Sequence, residues 1–296
     1  MTVDPDTLDL FSLPNDSIVG HYTVLETLLI ILSTGKLKFS PMKEMNDPWE
    51  KEPRAVFKGE SSSPQQWSGY PLRTALLNHV KLFCTTHSQP LHSQDQQFPP
   101  KFDYLTSDND FSQAVNGELV EAGGSPRECH SRLRMWEQYG GQRKGACLLF
   151  DRHQLREQIH KEFKRNVTGF VEYVESWRGR QMRQKALTLE PPGESDDFNK
   201  RVEEHLNANC PGLWFLKELD WVSESEFRFA IYDKGDGPVY VKFGNALKAI
   251  VLGWECDQSL KSSIGKLADV PVCQLFWNQV TGRLEIDFRD LIDRSK

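Results

Sequence analysis

Three residues that could share chemistry recur at alternate positions late in the chain, Glu224, Glu226 and Arg228, and an imidazole, His21, stands near its start. On a β-strand, residues two apart face the same side, so Glu224 and Glu226 are expected to share one site, where either carboxylate suits the work of a general base. The same alternation on a solvated sheet face gives only ion pairs worth less than about 1 kcal/mol. A half-buried strand histidine such as His21 is commonly satisfied by a backbone carbonyl. Cys129-His130 is the only adjacent thiol and imidazole; neighbours on a strand or helix point in different directions, which argues against a catalytic pair. Trp136 and Tyr139, three apart, read as core packing before they read as a ring-stacking platform. Asn46-Asp47-Pro48 is a good turn whatever the function. The Walker loop, the Gly-x-Ser-x-Gly elbow, the zinc-protease helix motif and the dinucleotide glycine fingerprint are all missing from the sequence.

Local patterns show what must position these groups. Ser17 to Tyr22 reads as a strand, and Thr23 to Glu26 has the spacing of a capping box that would start a helix. Leu25, Leu28, Leu29 and Leu32 repeat at helical spacing, and Gly35 suits the left-handed position after the last turn. Leu37 and Phe39 alternate with polar residues as a half-buried strand does, ending at Pro41. Arg73 to Asn78 and Arg132 to Tyr139 are expected helices, with strands through Val80 to Cys84 and Gly145 to Phe150. Residues 85–126 read as a long exposed loop region. Residues 177–210 read as a helical insertion with a basic run, Arg178, Arg180, Arg183 and Lys185, followed by a helix carrying Phe198, Val202 and Leu206. A basic run of this kind is usually a solvated helix face; the sharper reading is contact with RNA. Further strands are expected at Phe227 to Tyr232, Val239 to Phe243, Ala249 to Leu252, Cys273 to Trp277 and Arg283 to Phe288. Many strands with few helices between them favour an α+β fold with a mixed or antiparallel sheet, built as one domain over residues 1–296.

Composition bounds the function. The chain is 38% hydrophobic with 17 Phe and 8 Trp, enough side-chain volume for a core. A formal charge of −6 gives no global pull toward phosphate backbones or anionic lipid, so any nucleic-acid contact must be local. The first residues lack the basic and apolar regions of a secretory signal, and no apolar run approaches the roughly 20 residues of a membrane span. Six scattered cysteines suit reduced thiols rather than a disulfide frame or zinc site, and the expected location is the cytoplasm, without a membrane partner.

A set of motifs in order along the chain resembles a bacterial family catalogued as a domain of unknown function. They are Gly20-His21-Tyr22-Thr23, Leu37-x-Phe39-Ser40, Asn46-Asp47-Pro48-Trp49-Glu50, Met135-Trp136-Glu137-Gln138-Tyr139, Lys144 to Leu148, Val171-Glu172-Tyr173, Lys217, Trp221-x-x-Glu224-x-Glu226-x-Arg228 and Ala249 to Gly253. The resemblance spans about Ile18 to Gly253 and leaves out the long loop and the basic and acidic insertion. That family is in turn similar to the ADP-ribosyltransferase fold, a split sheet that clamps NAD. There a first-strand His, a Gly step into the second strand and a late Glu at a strand start correspond to His21, Gly35-Lys36-Leu37 and Glu226.

The second resemblance implies NAD as substrate and a mono-ADP-ribosyltransferase activity, as in a toxin or phage-defence effector acting on a protein, RNA or DNA acceptor and restrained by an antitoxin or other regulatory partner. Breaking the nicotinamide glycosidic bond leaves positive charge on the ribose. It implies that Glu226 stabilises this charge, that Glu224 activates the acceptor, and that His21, Tyr22 and Thr23 form the wall that holds NAD. Ser40, Tyr70 and Phe83 compete for the second-strand position, with Phe83 also suited to stacking on nicotinamide. Asp47, Arg228, Trp136 and Tyr139 are expected to orient Glu226 or the acceptor. Tyr22 departs from the pattern, since the fold usually has Gly after the His, where the backbone closely approaches the amide. The alternatives are a non-catalytic nucleotide- or partner-binding module and an NAD glycohydrolase using Glu224 or Glu226 as base.

Overall fold

The computed structural model describes residues 17–51, 56–57, 70–88, 103–104, 128–189 and 197–287. Strand β1 (Ile18–Thr23) leads into helix α1 (Leu25–Thr34), which stops at Gly35 with φ of 65° and its N–H bonded to the Ile31 carbonyl, as its left-handed C′ role requires. The capping box does not form: Thr23 is spent as the last residue of β1, and Val24 stands at the N-cap without a side-chain bond. The buried stripe of α1 is Leu28 and Ile31, while Leu29 is exposed. β2 (Lys36–Pro41) buries Leu37 and Phe39 as its alternation foretells. A 3₁₀ turn and the short helix α2 (Pro48–Lys51) follow, then β3 (Val56–Phe57), α3 (Tyr70–Thr74) and a π-turn into β4 (Val80–His87). β4 runs three residues past Cys84, so the start of the expected loop is strand. Of the rest of that loop only β5 (Asp103–Tyr104) and the neighbouring Ser88 fall within the described residues.

The second half runs α4 (Leu133–Gln138), β6 (Ala146–Asp151), α5 (Arg152–Glu162), β7 (Asn166–Phe170), β8 (Glu172–Val174), α6 (Ser176–Ala186), β9 (Thr188–Leu189), α7 (Phe198–Trp214) and β10 (Leu216–Glu218). A 3₁₀ helix, Leu219–Glu224, then gives way to β11 (Glu226–Tyr232), β12 (Val239–Lys242), β13 (Leu247–Leu252), α8 (Gln258–Leu267), β14 (Val272–Asn278) and β15 (Arg283–Asp287). The fold is mixed α+β around a mostly antiparallel sheet in the order β15-β14-β13-β6-β1-β4-β11-β7-β5, with β2 and β12 branching from β4. Among the described strands only β13 and β14 run parallel within it. β6 is apolar on both faces, Leu148 and Phe150 packing in one core cluster and Cys147 and Leu149 in another, whereas β11 buries Phe227, Phe229 and Ile231 on one face and carries Glu226 and Arg228 on the other.

Residues 177–210 are not a peripheral excursion. Ala186, Leu187, Leu189, Val202 and Leu206 pack with Leu72, Leu76 and Leu82 in a second core cluster, so this stretch closes one side of the sheet. No helix of the described residues is long and apolar enough to cross a membrane.

Candidate active site

The site follows from a break in strand pairing. One edge of β4 pairs with β1 at Val19↔His87 and Gly20↔Thr86, and with β2 at Ser40↔Leu82 and Pro41↔Lys81. Between these ladders Phe83, Cys84 and Thr85 have no strand partner on that edge among the described residues, whereas the other edge pairs with β11 from Thr86 to Val80. β1 and β2 therefore splay apart over β4, and the gap opens a cavity of about 230 Å³. His21, Ser40 and Cys84 line its strand side; Tyr139, Glu224, Glu226, Lys217 and Arg228 line the rest.

His21 spans the split. Its Nδ1 lies 3.1 Å from the Cys84 carbonyl, and because a carbonyl only accepts, Nδ1 carries the proton and Nε2 is left as an acceptor. Burial holds the imidazole pKa below its ordinary value, with the Cys84 bond opposing, so the ring is neutral at pH 7. The bland expectation of a carbonyl-satisfied histidine holds, and the same ring is also part of the cleft wall.

The base of the cleft is a buried charge cluster. Arg228 grips Glu226 with two parallel bonds, Nε to Oε1 at 2.8 Å and Nη2 to Oε2 at 2.9 Å, and its Nη1 lies 2.5 Å from Glu50 Oε1 and 2.7 Å from the Trp214 carbonyl. Lys217 Nζ lies 2.6 Å from Glu224 Oε2 and 3.1 Å from Glu226 Oε2, and Tyr139 donates to Glu224 Oε1 at 2.8 Å. Glu50, Lys217, Glu224, Glu226 and Arg228 are each 6% exposed or less, which overturns the reading of solvated, weak ion pairs. Burial by itself pushes Glu226 up, but Arg228 and Lys217 outweigh it and hold the carboxyl at about 2. Burial likewise opposes the charge of Lys217, yet Glu226, Glu50 and Glu224 raise its pKa.

Glu224 and Glu226 do converge, though not by strand pleat. Glu224 ends the 3₁₀ helix, and Ser225 turns the chain through a left-handed conformation, φ 43°, before β11 begins. The two carboxylates meet because both bind Lys217, two residues into β10 from Phe215.

The other expected site residues divide. Ser40 lines the cleft, and the Tyr70 side chain lies outside the described residues. Tyr22 reaches the wall, but its phenol is committed elsewhere, donating to the Cys129 carbonyl at 2.7 Å and meeting Trp136 edge-on at 5.0 Å. Thr23 is paired with Ala146 and does not line the cleft. Trp136 is wholly buried against Tyr22 and Trp254, with Nε1 donating to the His130 carbonyl at 2.8 Å; it packs in the core and does not line the cleft. Phe83 borders the cavity, yet its ring is 3% exposed and packs on Phe39, Phe150 and Phe229, leaving no face for nicotinamide. Asp47 is outside the cleft: its Oδ1 accepts from Trp49 N at 2.8 Å and its carbonyl from Glu50 N at 3.0 Å, so it caps α2 and thereby places Glu50 under Arg228.

Members not anticipated as site residues include Lys217, Glu50 and Tyr173, whose hydroxyl accepts from Glu226 N at 2.8 Å. The signal available was their place within the motif stretches. Cys129 and His130, expected to point apart, instead sit in a turn where they meet. Burial opposes His130's charge, but bonds with Cys129 and Glu128 push the imidazole up to about 9. Among the described residues no group of three His, Cys, Asp or Glu side chains is arranged to hold a metal.

Residues 135–229, about a third of the chain, match a family model described as a protein of unknown function, DUF2971. The match supports assignment to a domain-of-unknown-function family and takes in Tyr139, Lys217, Glu224, Glu226 and Arg228, while His21, Ser40 and Glu50 lie before it. The stretch 177–210, expected outside the family pattern, lies within the matched residues. No curated protein and no solved structure matches the chain.

Proposed function

We propose that the split between β1 and β2 binds NAD and that the carboxylates at its base promote cleavage of the nicotinamide glycosidic bond, with transfer of ADP-ribose to an acceptor. The observation that carries this reading is the meeting of His21 with Glu224 and Glu226, some two hundred positions apart, in one cleft. The C1′–N bond breaks with its electron pair leaving on nicotinamide, the ribose carries positive charge, and an acceptor nucleophile attacks C1′ and gives up its proton. A fixed anion at this point contributes through electrostatics, on the order of 3 to 4 kcal/mol by analogy with one preorganised oxyanion donor.

The two glutamates divide this work. A carboxylate offers about four acceptor sites, and those of Glu226 are engaged by Arg228 twice, by Lys217 and by the Cys84 thiol. Held at about 2, Glu226 is a permanent charge and a weak base, which disfavours it as the general base of a hydrolase. Among the described residues Glu224 accepts from Tyr139 and Lys217, which leaves acceptor capacity for a ribose or acceptor hydroxyl. A cavity of about 230 Å³ lies below the roughly 300–1,000 Å³ usual for ligand sites, so the cleft encloses the nicotinamide ribose and the rest of NAD extends past its rim.

The saturation of Glu226 also favours a second reading, a nucleotide-binding module without turnover. Nicotinamide release and binding of NAD by titration calorimetry separate the two. Transfer requires nicotinamide release by the wild type, reduced at least about a hundredfold in Glu224→Gln and Glu226→Gln proteins that keep their circular dichroism. Heat of binding without release supports the module, and neither binding nor release removes NAD from this cleft.

A further inference from the structure

We propose that the groove beside helix α6 binds single-stranded nucleic acid, with an unpaired base stacked on Trp177 and phosphates met by Arg178, Arg180 and Lys185. The groove, about 760 Å³, is lined by Tyr173, Trp177, Arg178, Gln181, Met182 and Leu219. Trp177 is 60% exposed, although a large indole is ordinarily well buried. Its Nε1 donates to Glu175 Oε2 at 2.5 Å, which fixes the ring by its edge and leaves its faces for stacking.

Charge selects the partner. The eleven residues of α6 carry four cations and no carboxylate, in a chain whose formal charge is −6. One of the four, Arg183, is internal: it donates to the Trp49 and Leu216 carbonyls at 2.9 and 2.6 Å. Gly179 lets the helix press on Trp49, where a Cβ would lie 2.5 Å from Cζ3. This inner face fixes the helix and presents Trp177, Arg178, Arg180, Gln181 and Lys185 outward. Three carboxylates stand nearby: Glu175, on the groove wall, accepts from Trp177, Glu218 accepts from the Ser176 hydroxyl, and half-buried Glu172 faces Arg178, so a phosphate there competes with it. An exposed aromatic beside cations is the arrangement that reads unpaired strands, since a duplex keeps its base faces stacked internally.

The groove also adjoins the cleft. Tyr173, on its wall, bonds the Glu226 amide and pairs in register with Lys217. Under the NAD reading the bound strand is therefore the acceptor; that clause alone rests on the reading, and strand binding does not.

The test is fluorescence anisotropy of short fluorescein-labelled RNA and DNA, single-stranded and duplex, with the full chain, without NAD, over a range of salt. Single strands should bind more tightly than duplex, and Trp177→Ala should weaken them at least about fivefold. Arg178→Gln and Arg180→Gln should each lower the salt slope by about one. Both sites are exposed, and unchanged unfolding transitions will confirm intact variants. Absence of binding at low salt, binding indifferent to Trp177→Ala, or labelling of protein acceptors that needs Trp177 while no oligonucleotide binds would each overturn the proposal. Failure of NAD turnover leaves this binding result standing, and the reverse also holds.

Discussion

Successive residues of β1 face two regions held by opposite physics. On the His21 side lies the cleft, whose base confines Arg228, Lys217 and three glutamates; on the Tyr22 side Trp136 packs with Tyr22 and Trp254 in an apolar cluster. Removing a side chain from the apolar cluster leaves a void. Removing one from the charged base leaves a partner charge buried without compensation, although the intact ion cluster adds little net stability over well-packed apolar residues.

The sharpest test compares loss in the two regions as pH changes. Arg228→Met should cost about 3–5 kcal/mol at pH 7, since Glu226 and Glu50 lose their shared cation, and Trp136→Ala a similar 3–5 kcal/mol. Glu226 is held at about 2, below its ordinary 4.5, so in the wild type its contribution is present above about pH 4.5 and is lost as pH falls toward 2. In Arg228→Met burial governs and the carboxyl protonates readily, so the deficit relative to wild type should shrink through acid pH. That of Trp136→Ala should stay flat. Urea unfolding at pH 7 and pH 4 reads both, and parallel behaviour of the two variants would abolish the distinction.

A second pH signature belongs to the turn beside the apolar cluster. His130 is raised from 6.5 to about 9, so its stabilising charge is fully present below about pH 6.5 and is lost as pH rises through 9. Wild-type stability should fall across that window and His130→Gln should flatten the fall, as measured by urea midpoints at pH 6 and pH 9. A smaller effect is expected at Tyr139. Its hydroxyl donates to Glu224, so Tyr139→Phe should cost about 1–3 kcal/mol as a bond to a charged acceptor is lost, and under the proposed NAD reading it should lower nicotinamide release more than NAD binding. Equal losses in both would make Tyr139 a packing residue.

The sequence made the elements legible where periodicity was strong: Leu37 and Phe39 on β2, the apolar β6, and Gly35 ending α1 all follow from pattern alone. The meeting of His21, Ser40, Glu224 and Glu226 is expected from the family resemblance rather than from local pattern, since His21 lies inside β1 and Glu224 ends a 3₁₀ helix. What the sequence missed is tertiary. Lys217 becomes a site residue only through the turn at Ser225, and Phe83 is lost to the core because Phe39, Phe150 and Phe229 surround it. Trp136 and Tyr139 looked equivalent at three-residue spacing, yet one faces Trp254 and the other Glu224.

The misread start of α1 gives the smallest expected effect and a direct measure of why local signals fail. Thr23 had the right type and spacing for an N-cap, but pairing with Ala146 keeps it in β1 and moves the cap to Val24, φ −78° and ψ 160°. Val24 has the extended backbone a cap needs and no oxygen to offer the first amides of the helix. Val24→Ser should therefore stabilise the protein by about 1 kcal/mol, roughly 2 °C in Tm. Against this stands the side chain of Val24, which is 40% exposed and borders the Gly141 turn so closely that a Cβ added at Gly141 would lie 3.4 Å from its Cγ1. A lower Tm would show that this contact with the Gly141 turn outweighs an optimal cap, and that strand register dictated the sequence at the β1–α1 junction.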